Sequence, residues 1–304
     1  MQNPITLNNG RQVPNLGLGT WRSLAGSGQR AVKFALEQGY RHIDCASIYQ
    51  NEKEIGVAFN EVLTESQIKR EELFVTSKLW CTNHHPDQVE RACRQTLADL
   101  QLDYLDLYLM HWGVAFDPGG DFEPLDADGV IKTAPISTQS TWQAMEKLVH
   151  KGLVKAIGVA NFTTAMLIDL LSYAQMQPSV NQIEIHPYNA QFALVKFCQA
   201  RNIAVTAYSP LGSAGAVESK PLQDQVVLSI AKVQGKTPAQ ILLRWLLQRG
   251  LIAIPKSIQP ERILENSQIF DFTLSDEEMT QINQLDRKQR FVDPIDWWGI
   301  PYFA

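Results

Sequence analysis

Ala204-Val205-Thr206-Ala207-Tyr208 decides the fold. The run is β-prone and almost uninterrupted by polar residues, a pattern that buries a strand on both faces and belongs to a parallel sheet wrapped by helices. Seven further runs of this kind lie at residues 16–20, 42–46, 74–79, 105–112, 156–160, 180–185 and 251–255. Between them, apolar residues recur at helical spacing over 29–38, 52–63, 87–100, 140–151, 164–173, 191–201 and 238–248. Ser, Thr or Asp stand before these segments and Gly39, Gly152 and Gly250 after them, as helix starts and stops require.

Eight strand-then-helix units with no Pro/Gly-rich linker or charge block predict one α/β domain over residues 1–304. A closed (β/α)8 TIM barrel is favoured over an open doubly wound sheet. Ahead of it, Ile5-Thr6-Leu7, Asn8-Asn9-Gly10 and Arg11-Gln12-Val13 predict a β-hairpin. In such a barrel the chemistry belongs at the C-terminal ends of the strands.

Of the 304 residues 45% are hydrophobic and 19% charged, enough for a large core and against disorder. The net charge of −5 argues against a nucleic-acid partner. No run approaches the ~18 apolar residues of a membrane helix. Met1-Gln2-Asn3-Pro4 lacks the basic and then apolar pattern of a signal peptide, so a cytoplasmic protein without a membrane partner is expected. Cys45, Cys81, Cys93 and Cys198 show no CxxC spacing; free thiols and no metal are expected. With no coiled-coil pattern, a monomer is the expected state.

Four side chains able to do chemistry fall at or just beyond predicted strand ends: Asp44, Tyr49, Lys78 and His111. Singly, each has an ordinary role as a helix cap, a surface ring, a solvated amine or a satisfied core histidine. Together they differ, because a Lys and an Asp on apolar strands must pair if buried. An ammonium beside Tyr49 is expected to lower its phenol pKa, so that Tyr49 can protonate a substrate oxygen that His111 also hydrogen-bonds. Such a set suits carbonyl reduction. Lys256, Ser257 and Arg262, ahead of a helix, form a candidate phosphate cradle, with a solvated basic loop as the alternative. No GxGxxG follows a strand, and Gly17-Leu18-Gly19 reads as tight packing, so a dinucleotide would have to bind on the barrel rim.

Gly17-Leu18-Gly19-Thr20-Trp21, Gly39-Tyr40-Arg41-His42-Ile43-Asp44, Gly158-Val159-Ala160-Asn161-Phe162 and Ile254-Pro255-Lys256-Ser257 together resemble the aldo-keto reductase family, on its aldose, aldehyde and xylose reductase branch. The resemblance runs nearly the whole length. It implies a (β/α)8 barrel, a catalytic tetrad of Asp44, Tyr49, Lys78 and His111 with Tyr49 as general acid, and reversible hydride transfer between NADPH/NADP+ and an aldehyde or ketone. By the same implication Thr20, Trp21 and Asp44 adjoin the cofactor, Tyr208 stacks on the nicotinamide, and Asn161 and Gln182 hold its carboxamide. Ser209, Leu211 and Ser213 meet the pyrophosphate, Lys256, Ser257 and Arg262 the 2′-phosphate, and Glu265 and Asn266 the adenine.

The implied substrate pocket comprises Trp21, Ile48, Tyr49, Trp80, His111, Trp112, Phe116 and Trp297 or Trp298, with the C-terminal stretch from Arg290 folding over the rim. A broad aldehyde reductase, equivalently an NADP-dependent alcohol dehydrogenase, leads. A xylose reductase and a cofactor-binding regulatory protein are the alternatives. Three departures stand out: Ala160 replaces a serine, residues 213–217 lack an acidic clamp, and Gly113 stands where a proline commonly follows His-Trp.

Overall fold

The structure, a computed structural model, describes residues 4–21, 23, 26–65, 68–212 and 220–304. β1 (Ile5–Thr6) and β2 (Gln12–Val13) form the expected antiparallel hairpin, with Ile5 opposite Val13. Leu7 and Val13 are buried against Phe74, Leu107, Ala156, Val180 and Ile252 at the starts of later strands, so the hairpin plugs the N-terminal end of the barrel.

Eight parallel strands lie in chain order around the sheet. They are β3 (Leu18–Gly19), β4 (His42–Asp44), β5 (Phe74–Leu79), β6 (Leu107–Met110), β7 (Ile157–Ala160), β8 (Val180–Glu184), β9 (Ala204–Tyr208) and β10 (Ile252–Ala253). The two edges meet: Leu16 pairs with Ala253 and Gly19 with Lys256, both parallel. Gly17 N–H donates to Ala253 O at 2.9 Å and Gly19 N–H to Pro255 O at 3.1 Å. A Cβ on Gly19 would lie 2.8 Å from Ile254 O, so the glycine permits the closure. The Gly17-Leu18-Gly19 run is therefore a seam of close packing. The chain is a TIM barrel.

The outer layer is α1 (Ser27–Glu37), α2 (Glu52–Glu65), α3 (Pro86–Leu100), α4 (Thr138–His150), α5 (Thr164–Tyr173), α6 (Phe192–Gln199), α7 (Gln225–Gln234), α8 (Pro238–Gln248) and α9 (Pro260–Ser267), followed by α10 (Asp276–Asn283) and α11 (Ile295–Trp298). Gly152 and Gly250, at φ 72° and 70°, follow α4 and α8 in the left-handed region that glycine adopts without steric cost. Trp142 on α4, Trp245 on α8 and Phe59 on α2 are completely buried. Burying a large apolar side chain stabilises by roughly 1.5–3 kcal/mol, so this layer makes a rigid platform for the rim.

Candidate active site

β4 ends at Asp44, and the chain turns through a short 3-10 segment, Ser47–Tyr49, that carries Tyr49 over the rim. Ser47 Oγ donates to Lys78 O at 3.3 Å, tying this turn to β5. Lys78 is wholly buried; its Nζ donates to Asp44 Oδ1 at 2.5 Å and to Cys45 O at 2.8 Å, and reaches Tyr49 Oη at 3.5 Å. Gln182 Nε2 donates to the other oxygen, Asp44 Oδ2, at 2.7 Å. The carboxylate is thus held from two sides. Thr20 Oγ1 donates to Asp44 O at 2.8 Å, fixing the rim between β3 and β4.

Burial works against the Lys78 ammonium, yet Asp44, with Tyr49, outweighs it and holds the amine's pKa above its ordinary value. Burial raises the Tyr49 phenol to about 12, and the nearby Lys78 offsets only part of that. The expected lowering of this phenol is therefore corrected: removing its side chain from water outweighs the cation. Tyr49 remains a protonated donor at neutral pH. His111 stands just beyond β6, its ring centroid 6.0 Å from that of Tyr49. Burial, then Lys78, pushes its pKa well below the ordinary imidazole value, so it is a neutral hydrogen-bonding group.

Trp80, Trp112, Phe116 and Trp298 bury one another in an aromatic cluster beside His111. Ring centroids lie 5.2 Å apart for Trp80 and His111, 4.7 Å for Phe116 and Trp298, and 5.0 Å for Trp112 and Trp298. Ile48 packs against the same cluster. Of the two adjacent tail tryptophans, Trp298 is 1% exposed and Trp297 39%, so Trp298 joins the wall and Trp297 faces outward. Trp21, 40% exposed, stands on the rim next to Thr20.

Several residues expected at a dinucleotide sit around the same rim. Asn161, at φ 63°, donates from Nδ2 to His111 O at 3.0 Å and accepts at Oδ1 from Tyr208 Oη at 2.7 Å. Ser209 and Leu211 follow Tyr208, half-buried. Ser213 lies outside the described residues, as does the acid-free loop 213–217 beyond Gly212.

Lys256 and Arg262 are exposed, and among the described residues neither forms an ion pair. They flank the start of α9, whose N-terminus has no side-chain cap. Ser257 Oγ accepts from Gln259 N–H at 3.1 Å within that turn. Two unpaired cations beside uncapped helix amides fit a phosphate group. Glu265 Oε1 accepts from Thr237 Oγ1 at 2.9 Å, and Asn266 is buried at the end of the same helix. The residues present therefore fit a phosphorylated nicotinamide dinucleotide.

Three participants had no signal strong enough in the sequence. Cys45 contributes only its carbonyl, which any residue could supply. Tyr302 accepts at Oη from Gly113 N–H at 2.8 Å, a contact linking positions 189 residues apart. A proline at 113 would remove that donor, and a Cβ there would also come within 3.1 Å of the Phe162 ring. Glu184, fully buried at the end of β8, is the third. A charged residue closing an apolar strand was a signal, though its partners in the tail were not legible. Among the described residues no group of three or more His, Cys, Asp or Glu is arranged to hold a metal, and no helix is long and apolar enough to cross a membrane.

A closed barrel carrying Asp, Tyr, Lys and His on one rim, with an aromatic wall beside them, has the form of a carbonyl oxidoreductase. The Aldo/keto reductase family matches residues 15–287, and the chain belongs to it. It is 53% identical to rat aldo-keto reductase family 1 member A1 over 297 residues, 96% of this chain and 91% of that protein. The chicken protein of the same name is 51% identical over the same shares. Among solved structures, the aldose reductase of Schistosoma japonicum superimposes with a TM-score of 0.94 at 45% identity, covering 99% of this chain and 98% of that one. The aldose reductase of Giardia lamblia gives 0.92 at 45% identity, with 95% and 98% covered.

Proposed function

We propose that the chain is an NADPH-dependent aldehyde reductase that also reduces some ketones and runs in reverse as an NADP-dependent alcohol dehydrogenase. The observation that carries this reading is the buried Lys78–Asp44 pair with Lys78 Nζ 3.5 Å from Tyr49 Oη. A structural barrel has no use for an ammonium so placed.

When bound, the cofactor supplies the hydride. Tyr49 protonates the carbonyl oxygen as negative charge develops there. The phenolate that remains would be a buried anion, and Lys78 stands beside it to offset the cost. Asp44 and Gln182 hold Lys78 in that place. Neutral His111 orients the carbonyl by hydrogen bonding without competing for the proton. Asn161 and Tyr208 shape the nicotinamide side, and Lys256, Ser257 and Arg262 would hold the 2′-phosphate. The wall of Trp80, Trp112, Phe116 and Trp298 excludes water and offers few polar groups, which suits aromatic and aliphatic aldehydes over a polyol chain.

NADPH oxidation measured with an aromatic aldehyde, a short aliphatic aldehyde and xylose tests this. Turnover of the two aldehydes is expected. A clear preference for xylose would favour an aldose reductase, and turnover of none a cofactor-binding regulatory protein. Tyr49→Phe is expected to lower kcat by at least about 100-fold while leaving NADPH affinity in place; near-normal turnover would remove Tyr49 from its role.

A further inference from the structure

We propose that Glu184 is a positioning residue for carbonyl reduction, whose carboxylate latches the C-terminal tail over the aromatic wall and joins that tail to the loop leaving β9. Glu184 is fully buried. A buried carboxylate needs hydrogen-bond partners, and two of those found here come from far along the chain. Phe291 N–H donates to Oε1 at 2.7 Å and Val292 N–H to Oε2 at 3.2 Å. His186 Nε2 lies 2.9 Å from Oε1. A need for charge neutralisation alone would explain His186. It would not explain why both oxygens receive main-chain amides of a segment that belongs to no strand or helix.

The latch lies between the two sides of the site. Glu184 is the register partner of Tyr208 on β9. Phe291 stacks on the His186 ring, with centroids 4.5 Å apart and planes at 23°. The edge of its ring comes within 3.2 Å of the point where a Cβ on Gly212 would lie, and Gly212, at φ 83°, opens the loop after β9. In the other direction the tail runs through α11 to Trp298 in the aromatic wall and on to Tyr302, bound to Gly113 N–H. Arg290, next to Phe291, packs 3.6 Å over the ring of Phe303. The tail is therefore pinned at residues 291–292, at residue 302 and, between them, at Trp298, whose main-chain O accepts from Ile131 N–H at 2.9 Å and whose Nε1 donates to Glu123 Oε1 at 2.8 Å.

The activity half of the test rests on the aldehyde reductase reading; the exchange half does not. Glu184→Gln keeps the shape but leaves one acceptor oxygen and turns an amide NH2 toward a donor. Val292→Pro removes one donor within the tail and leaves β8 unaltered; because the Val292 side chain also packs against the aromatic wall, this variant carries the exchange half of the test if Glu184→Gln does not fold. Amide hydrogen exchange at Phe291 and across residues 295–298 is expected to speed up by about tenfold or more. KM for an aromatic aldehyde is expected to rise about tenfold, with kcat and the KM for a short aliphatic aldehyde changing less than about threefold. Unchanged exchange in the tail, or equal KM increases for both aldehydes, overturns the proposal. If the unaltered protein reduces no aldehyde, the reductase reading fails by itself, and the exchange result alone decides whether Glu184 is the latch.

Discussion

Lys78 would lose a great deal of hydration on burial, and it remains an ammonium because Asp44 Oδ1 is 2.5 Å away. The pairing leaves the cation 3.5 Å from the Tyr49 phenol, where the proposed proton donation would leave an anion. Since the burial that raises Tyr49 to about 12 also keeps His111 neutral, neither group titrates near neutrality. kcat/KM for aldehyde reduction is therefore expected to show no break around pH 6.5, where a free imidazole titrates. A pH–rate profile with such a break, abolished by His111→Asn, would show that His111 takes part in proton transfer. On the cofactor side, Arg262 is exposed and unpaired among the described residues, so it is available to a phosphate dianion. Arg262→Ala is expected to weaken NADPH binding about tenfold more than NADH binding; a fluorescence titration showing equal losses would refute the 2′-phosphate assignment.

Elements with a strong period were legible in the sequence. β5, β9, α5 and α8 occupy the residues that their apolar spacing indicates. β3 and β10 shrink to two residues each, because closing the barrel lets only part of each run pair regularly. α10 was missed although Ser275 and Glu278 form a capping box, since only Ile282 of that helix is buried and its apolar stripe is faint. The resemblance places the tail over the rim, but its detailed path and that of residues 113–137 are not legible, because long-range contacts such as Ile131 N–H to Trp298 O, at 2.9 Å, determine them. Which of Trp297 and Trp298 faces the site follows from a single helical turn, a detail beneath any periodicity. One glycine shows how closely the regular elements pack: at Gly56 on α2, a Cβ would collide with Asp99 O, and the main chain of Leu100 is within 2.9 Å. Main chain cannot step aside as a flexible side chain does. Gly56→Ala is thus expected to cost about 1–3 kcal/mol through overpacking between α2 and α3, read from the denaturant midpoint. An unchanged midpoint would mean that the helices part without cost.

Across the whole molecule, one buried carboxyl joins three elements beneath the active site. Glu52, at the start of α2, accepts from Ser77 Oγ on β5 at 2.5 Å and from Thr96 Oγ1 on α3 at 3.0 Å, and it is 4% exposed. Burial raises its pKa from 4.5 to about 7, with the two hydroxyls offsetting only part of the effect. The folded state thus binds this proton more tightly than the unfolded chain, so the stability it confers is fully present below pH 4.5 and is lost as the pH rises through about 7. The sign is opposite to that of a salt-bridged carboxylate. The loss amounts to ~3 kcal/mol across that window. Glu52→Gln keeps a neutral amide at every pH, so its stability relative to the unaltered protein is expected to improve between pH 5 and pH 8. Denaturant unfolding at those two values checks it, and a stability difference that stays constant would show that Glu52 is ionised in the fold throughout. Ser77 immediately precedes Lys78 on β5, so the hydroxyl that satisfies Glu52 also anchors the strand that presents the Lys78 ammonium.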